Sequence, residues 1–215
     1  MDKKELVPVG FVLLMFFVAA SVQDTVPDKM ATHWNAKGQA NGWGGKFIGL
    51  YLMPLVTLFV LGLFYVIPRI EVLEFRANII DFEKHFLGLK IVLTGFLTCL
   101  YLVTVAINLG YNVPMNYFMI PALSGLFYYI GYILQFIKRN FWIGIRTPWA
   151  IANDNVWNKT HTLGSRMFRW MGVIMLAGLA APEKSIGLIL VLTLGGTFYL
   201  LAYSYVVYRR EVEKH

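Results

Sequence analysis

Charge is scarce in this chain: Asp, Glu, Lys and Arg make up 14% of its 215 residues, against 58% hydrophobic residues. A soluble domain carries roughly a quarter charged residues. The polar surface here is too small to cover a water-exposed globule, so part of the solvent must be lipid. Cysteine is nearly absent, and the single Cys99, set in an apolar run, excludes a disulfide framework and a cysteine zinc cluster. Also missing are a His-Glu-x-x-His zinc helix, a Gly-x-Ser-x-Gly elbow and a phosphate loop ending in Gly-Lys-Ser/Thr. No cofactor is expected on that basis. Of the four histidines, His33, His85, His161 and His215, a metal could at most join His85 and His161 with Asp81 or Asp154, and none is expected.

What the chain has in abundance is long uncharged runs. A helix rises 1.5 Å per residue, so about 20 apolar residues cross a ~30 Å hydrocarbon core. Leu6–Val22, Phe47–Pro68 and Ser185–Tyr208 each qualify. Ile91–Ile137 is about twice too long for one pass, and Asn108, Gly110, Asn112, Pro114 and Asn116 punctuate it, which predicts two helices. Met167–Ala181 is a marginal sixth span, with Arg169 free to snorkel near its start and Pro182, Glu183 and Lys184 as a tight polar turn after it. Backbone groups in lipid must be satisfied within the segment, and the alternation of barrel strands is absent. The expected class is therefore all-α, a polytopic integral membrane protein with six transmembrane helices. Leu6–Val22 also has signal-peptide features, with Lys3 and Lys4 before it and Ala19, Ala20 and Ser21 at its end, and is read as the first helix.

Lys and Arg distribute unequally between the two sets of loops. Fourteen, among them Lys3, Lys4, Arg69, Arg76, Lys138, Arg139, Arg146, Arg166, Arg209 and Arg210, fall on the side of the termini, against Lys29, Lys37, Lys46 and Lys184 opposite. The positive-inside rule then predicts cytoplasmic termini in the cell membrane. Lys90, just inside the third helix, is expected to snorkel to the cytoplasmic edge. Cationic rims suit anionic lipid headgroups, so membrane lipids are expected partners and the basic charge needs no direct nucleic-acid contact.

Three polar segments carry the functional information. The external loop, 23–46, is rich in Gly and Asn and reads as turns around a short extended piece. In it His33, Trp34, Asn35 and Trp43 are candidate binding residues, although the tryptophans could equally anchor the loop at headgroups. The segment 69–85 gathers Val72, Phe75, Ile79, Phe82 and Phe86 on one stripe, as in a cytoplasmic amphipathic helix or an extension of a neighbouring span. The third, 138–166, has Thr147 and Pro148 as a helix start and Gly164 as a stop, with Asp154, Trp157 and His161 on one face. Its candidate binding residues are Arg139, Asn140, Arg146, Thr147, Pro148, Trp149, Asp154, Trp157, Lys159 and His161.

The run from Arg139-Asn140 through Ile143-Gly144-Ile145-Arg146-Thr147-Pro148-Trp149 to Val156-Trp157 and Lys159-Thr160-His161 resembles the signature of the SdpI family of bacterial and archaeal membrane proteins. Pro27, His33, Asn35, Gly38 and Lys46 are similar to the loop of the small amino-terminal domain that precedes it there, with one departure at Asn41, where relatives often carry an acid. The resemblance implies an amino-terminal two-helix module over 1–85 and a four-helix module over 86–215. It also implies a non-enzymatic immunity or receptor function: resistance to a secreted peptide toxin, and in some members signalling by holding a cytoplasmic repressor protein at the membrane. The rival expectation is a membrane enzyme acting on lipid or peptide, with Asp154 and His161 as acid and base. A transporter is unsupported, since no ionisable group is placed well inside the spans.

Overall fold

The structure, a computed structural model, describes residues 3–66, 83–141 and 143–213. Among these residues seven α-helices and one β-hairpin follow in the order α1 (Leu6–Val22), β1 (Lys29–Trp34), β2 (Ala40–Gly45), α2 (Met53–Val66), α3 (Glu83–Asn108), α4 (Met115–Leu134), α5 (Pro148–Ala152), α6 (Asp154–Met175) and α7 (Ser185–Val212). A π-helical turn, Ile48–Leu52, leads into α2, and a 3₁₀ turn, Leu176–Ala180, prolongs α6. The chain is thus an all-α polytopic membrane protein, with a two-stranded hairpin as the extended piece of the 23–46 loop.

Five helices among the described residues are long and apolar enough to cross a membrane: Lys3–Val22, Ile48–Val66, His85–Asn108, Met115–Leu134 and Pro182–Val212. The long run divides where expected, with α3 ending at Asn108 and α4 starting behind Pro114. The sixth expected span, Met167–Ala181, is the second half of α6 and its 3₁₀ extension, and the polar first half explains why that helix falls short of the other five in hydropathy. The expected helix stop near Gly164 is overturned, because Gly164 lies buried inside α6. Of the amphipathic stripe read over 69–85, Val72, Phe75, Ile79 and Phe82 lie outside the described residues, and Phe86 stands in the first turn of α3. Trp142 and His215 lie outside them as well.

Close backbone approach holds the second half together. α4 packs along α6, and a Cβ on Gly131 would come within 2.6 Å of the Arg169 backbone nitrogen, as one on Gly172 would of the Ser124 carbonyl oxygen. Small residues at such crossings let helices associate in lipid, where the hydrophobic effect gives no drive. In the first half, Phe86, Lys90, Thr94, Thr98, Tyr101 and Val105 form one buried stripe of α3. The snorkelling expected of Lys90 is therefore wrong. Its ammonium is buried and reaches Glu5 Oε1 at 2.8 Å and Oε2 at 3.0 Å, while Tyr65 donates to Glu5 Oε2 at 2.7 Å and offers its ring face to Lys90. Glu5 stands just before α1 and Tyr65 near the end of α2, so this cluster ties three helices at the end of the bundle that bears the termini.

Candidate functional site

Two polar structures cap opposite ends of the bundle. The first is the hairpin. Its strands pair antiparallel from Lys29 opposite Gly45 to Trp34 opposite Ala40, with an irregularity around His33. The Asn35 side chain closes the turn by accepting from the Lys37 and Gln39 amides at 2.9 and 3.1 Å. Lys46 pairs with Asp28 at the base. Met30 inserts fully buried beside Met15, Ala19, Val26, Leu50, Tyr101 and Val105. Two asparagines from the interior helices hold the hairpin from below. Asn108 of α3 accepts from the Ala31 amide at 2.7 Å and donates to the Ala31 carbonyl at 3.0 Å. Asn116 of α4 donates to the carbonyls of Ala36 and Pro182. Asn108 and Asn116, polar punctuation of the long apolar run, thus spend their side chains on backbone groups of the segments above them.

Of the four candidates in this loop, Asn35 builds the turn and Trp34 is half-buried, which leaves His33 and Trp43 on the surface. Trp43 is 54% exposed, and His33 Nδ1 donates to Asn41 Oδ1 at 2.7 Å. Asn41, where an acid was expected, thus serves as a neutral acceptor for the imidazole. Asn108→Ala would strip both partners from the buried Ala31 backbone, at a cost of about 1–3 kcal/mol. The expected result is faster trypsin cleavage at Lys29 and Lys37 in micelles; an unchanged rate would place the clamp elsewhere.

The second structure is the segment 138–166, built around His161. Asn140 fixes the first turn, accepting from the Ile143 amide at 2.8 Å and donating to the Lys138 and Ile143 carbonyls. Gly144 follows with φ +115°, a conformation that L side chains rarely adopt, and a Cβ there would run into His161 Nε2 and the Trp157 ring. That turn aims the Ile145 amide at His161 Nε2, 3.0 Å away. Thr147 caps α5 as expected, accepting from the Ala150 amide at 3.1 Å, with Pro148 next to it. The helix stops after one turn, because Asn153 adopts an extended conformation and caps α6 afresh, accepting from the Asn155 and Val156 amides. The Asn153-Asp154-Asn155 cluster was the available signal for this second start.

Trp157, Val156 and Ala150 are fully buried in a cluster with Phe86, Ile133, Leu134, Ile137 and Val207. Trp157 donates its indole N–H to the Ile137 carbonyl at 2.8 Å, and the His161 ring stacks on it at 4.0 Å. Since Nε2 accepts from Ile145, the His161 proton resides on Nδ1 and is donated to the Trp157 carbonyl at 2.9 Å. Burial pushes the pKa of this imidazole down to about 4, partly offset by that backbone hydrogen bond.

The rim of the cap is made of ion pairs and stacked rings. Arg139 pairs with Asp154 at 2.6 Å and donates to the Ile151 carbonyl; Arg146 donates to the Phe141 carbonyl. Trp149 meets Tyr205 of α7 edge to face. Lys159 and Asn155 both reach Glu211 near the end of α7, a partner that sequence reading missed. Asp154, Trp157 and His161 were expected to work on one face. The structure buries Trp157 and His161 and leaves the Asp154 side chain 70% exposed beside Arg139. Both His161 nitrogens are engaged by backbone, so no acid–base pair forms between these two residues. His85 stacks on Phe136, and among the described residues no three of His, Cys, Asp and Glu come together as a metal set. Asp81 lies outside the described residues.

Comparison with known proteins gives a family and one relative. Residues 137–207 match the SdpI/YfhL protein family, and residues 10–58 match a domain of unknown function (DUF1648). The chain is similar to the immunity protein SdpI of Bacillus subtilis (strain 168), at 25% identity over 210 residues that cover 97% of each chain. No solved structure matches it. The match over 137–207 takes in the His161 cap together with α6 and most of α7, so in this part the chain is similar to the SdpI/YfhL family.

Proposed function

We propose that this protein is a membrane immunity protein that protects its cell from a secreted peptide toxin and reports the encounter to a cytoplasmic repressor. The observation that carries this reading is the similarity to an immunity protein along nearly the whole of both chains. The two caps suit the division of labour. The hairpin presents His33 and Trp43 on a frame clamped by Asn108 and Asn116, which gives a toxin a pre-organised surface to meet. The segment 138–166 presents Arg146, Trp149 and Lys159 on a frame locked by His161. In this reading both termini and the His161 cap are cytoplasmic and the hairpin is external, as the excess of Lys and Arg on the side of the termini favours, with six passes and a two-helix module, 1–85, preceding a four-helix module, 86–215.

The test is expression in B. subtilis cells deleted for their own SdpI and challenged with the toxic peptide that unmodified cells secrete. Growth is expected from the intact chain. It should be lost from Arg146→Ala, Trp149→Ala and His161→Ala at unchanged amounts in the membrane fraction. Undiminished resistance in all three variants would remove the cap from the function, and no resistance from the intact chain would remove immunity to that toxin.

A further inference from the structure

Helix α6 carries Trp170 on its outer surface, 66% exposed, with a groove on either side of it. One groove, of about 370 Å³, lies towards α4 and is lined by Tyr128, Arg166, Arg169 and Val173 beside Trp170. The other, also about 370 Å³, lies towards α7 and is floored by Ile174, Val191, Leu192 and Gly195. Arg166 and Trp170 line both grooves. The second is almost wholly apolar, and its lining continues into exposed Leu194 and Phe198, which leaves it open to the acyl chains of a bilayer.

The depth of the arginines is the informative feature. Arg166 shares its groove with Tyr199, about 21 Å along α7 from Ser185, so a hydrocarbon core of ~30 Å that began at Ser185 would extend past both. A guanidinium at that level must reach the headgroup region or draw an anion inward, because an unpaired cation in the core is costly. Among the described residues Arg169 gives only its Nε to a protein acceptor, the Ser165 carbonyl, and neither Arg166 nor Arg169 meets a carboxylate. The anion available at that depth is a lipid phosphate, for which two neighbouring guanidiniums supply forked donors.

We propose that the paired grooves beside Trp170 hold one anionic diacyl phospholipid, with its phosphate on Arg166 and Arg169 and one acyl chain on each side of the indole. The shared arginine at the polar end of two apolar grooves matches one headgroup with two tails. Positive charge at the rim selects an anionic lipid over a zwitterionic one.

The full-length protein, released from micelles containing equal amounts of phosphatidylglycerol and phosphatidylcholine, would be weighed by native mass spectrometry. The monomer is expected to retain one phosphatidylglycerol in roughly tenfold or greater preference. Arg166→Gln with Arg169→Gln should abolish the preference, and Arg166→Lys with Arg169→Lys should keep most of it. Gly195→Leu separates a groove from a merely basic surface: a Cβ there meets nothing within 4 Å, so the new side chain fills the groove without a backbone clash, and retention should fall several-fold with all charges intact. Equal retention of the two lipids, full retention by Gly195→Leu, or a lipid-free dimer would each overturn the assignment. Should the double glutamine variant fail to insert, the lipid preference of the unmodified protein and the Gly195→Leu result decide the matter.

Discussion

Replacing Lys90 by Met is expected to destabilise the folded protein by about 3–5 kcal/mol, the range for removing one partner of a buried ion pair. Only 6% of the Lys90 side chain and 18% of that of Glu5 are exposed, so the carboxylate left behind would face the bundle with the Tyr65 hydroxyl as its remaining partner in this cluster. Glu5→Gln should cost less. It leaves the ammonium over the Tyr65 and Phe86 rings, at 4.3 and 5.3 Å from their centroids, with an amide oxygen still in reach. The double variant, Glu5→Gln with Lys90→Met, should recover much of the loss, because no uncompensated charge remains. Unfolding by graded denaturing detergent gives the four stabilities of the cycle. Strictly additive costs would mean that the two side chains do not interact, since only coupled neighbours depart from additivity.

The residues of this cluster mark the boundary of what sequence could tell. Spans are legible because lipid imposes a length and an apolar composition that any reader can count, and the break between α3 and α4 is legible because Asn108, Gly110, Asn112, Pro114 and Asn116 interrupt a long run that carries no charge. Lys90 was misplaced for a different reason. Snorkelling is the usual outcome for a lysine near a helix end, and the reason to turn inward is Glu5, 85 residues away, together with the buried stripe that begins at Phe86. Asn108 and Asn116 likewise needed the hairpin backbone, 77 and 80 residues distant, to show what they hold.

Local chemistry was read more successfully than long-range chemistry. The cap at Thr147 depends on the next three residues and was found; the recapping at Asn153 depends equally on its neighbours and was hidden by reading one helix straight through it. The pairing of Trp157 with His161 follows from helical spacing. The partner that gives His161 its state, the Ile145 amide, is delivered by the positive φ at Gly144, which the residue type permits but does not announce.

That state yields the last large effect, a loss of stability in acid. His161 holds its folded pKa at about 4, while the ring in the unfolded chain titrates near the ordinary 6.5. Above the higher value neither state takes up the proton, and the full stability is present. As the pH falls from 6.5 towards 4, the unfolded chain gains a proton that the folded one refuses, and stability drops at about 1.4 kcal/mol per pH unit, or about 3 kcal/mol over the window. Below the folded value the loss is complete and this site adds no further slope. The physical cost is explicit in the geometry: a proton on Nε2 would destroy the acceptor for the Ile145 amide and place a charge against the buried Trp157 ring. Detergent unfolding midpoints at pH 7.0, 5.5 and 4.5 should therefore decline in the native protein. They should decline less in His161→Gln, which is less stable at pH 7 yet lacks the titrating ring, and the difference isolates His161 from His33 and His85. Parallel declines in the two proteins would show that the imidazole is not held neutral by its burial, and with it would go the lock that this cap depends on.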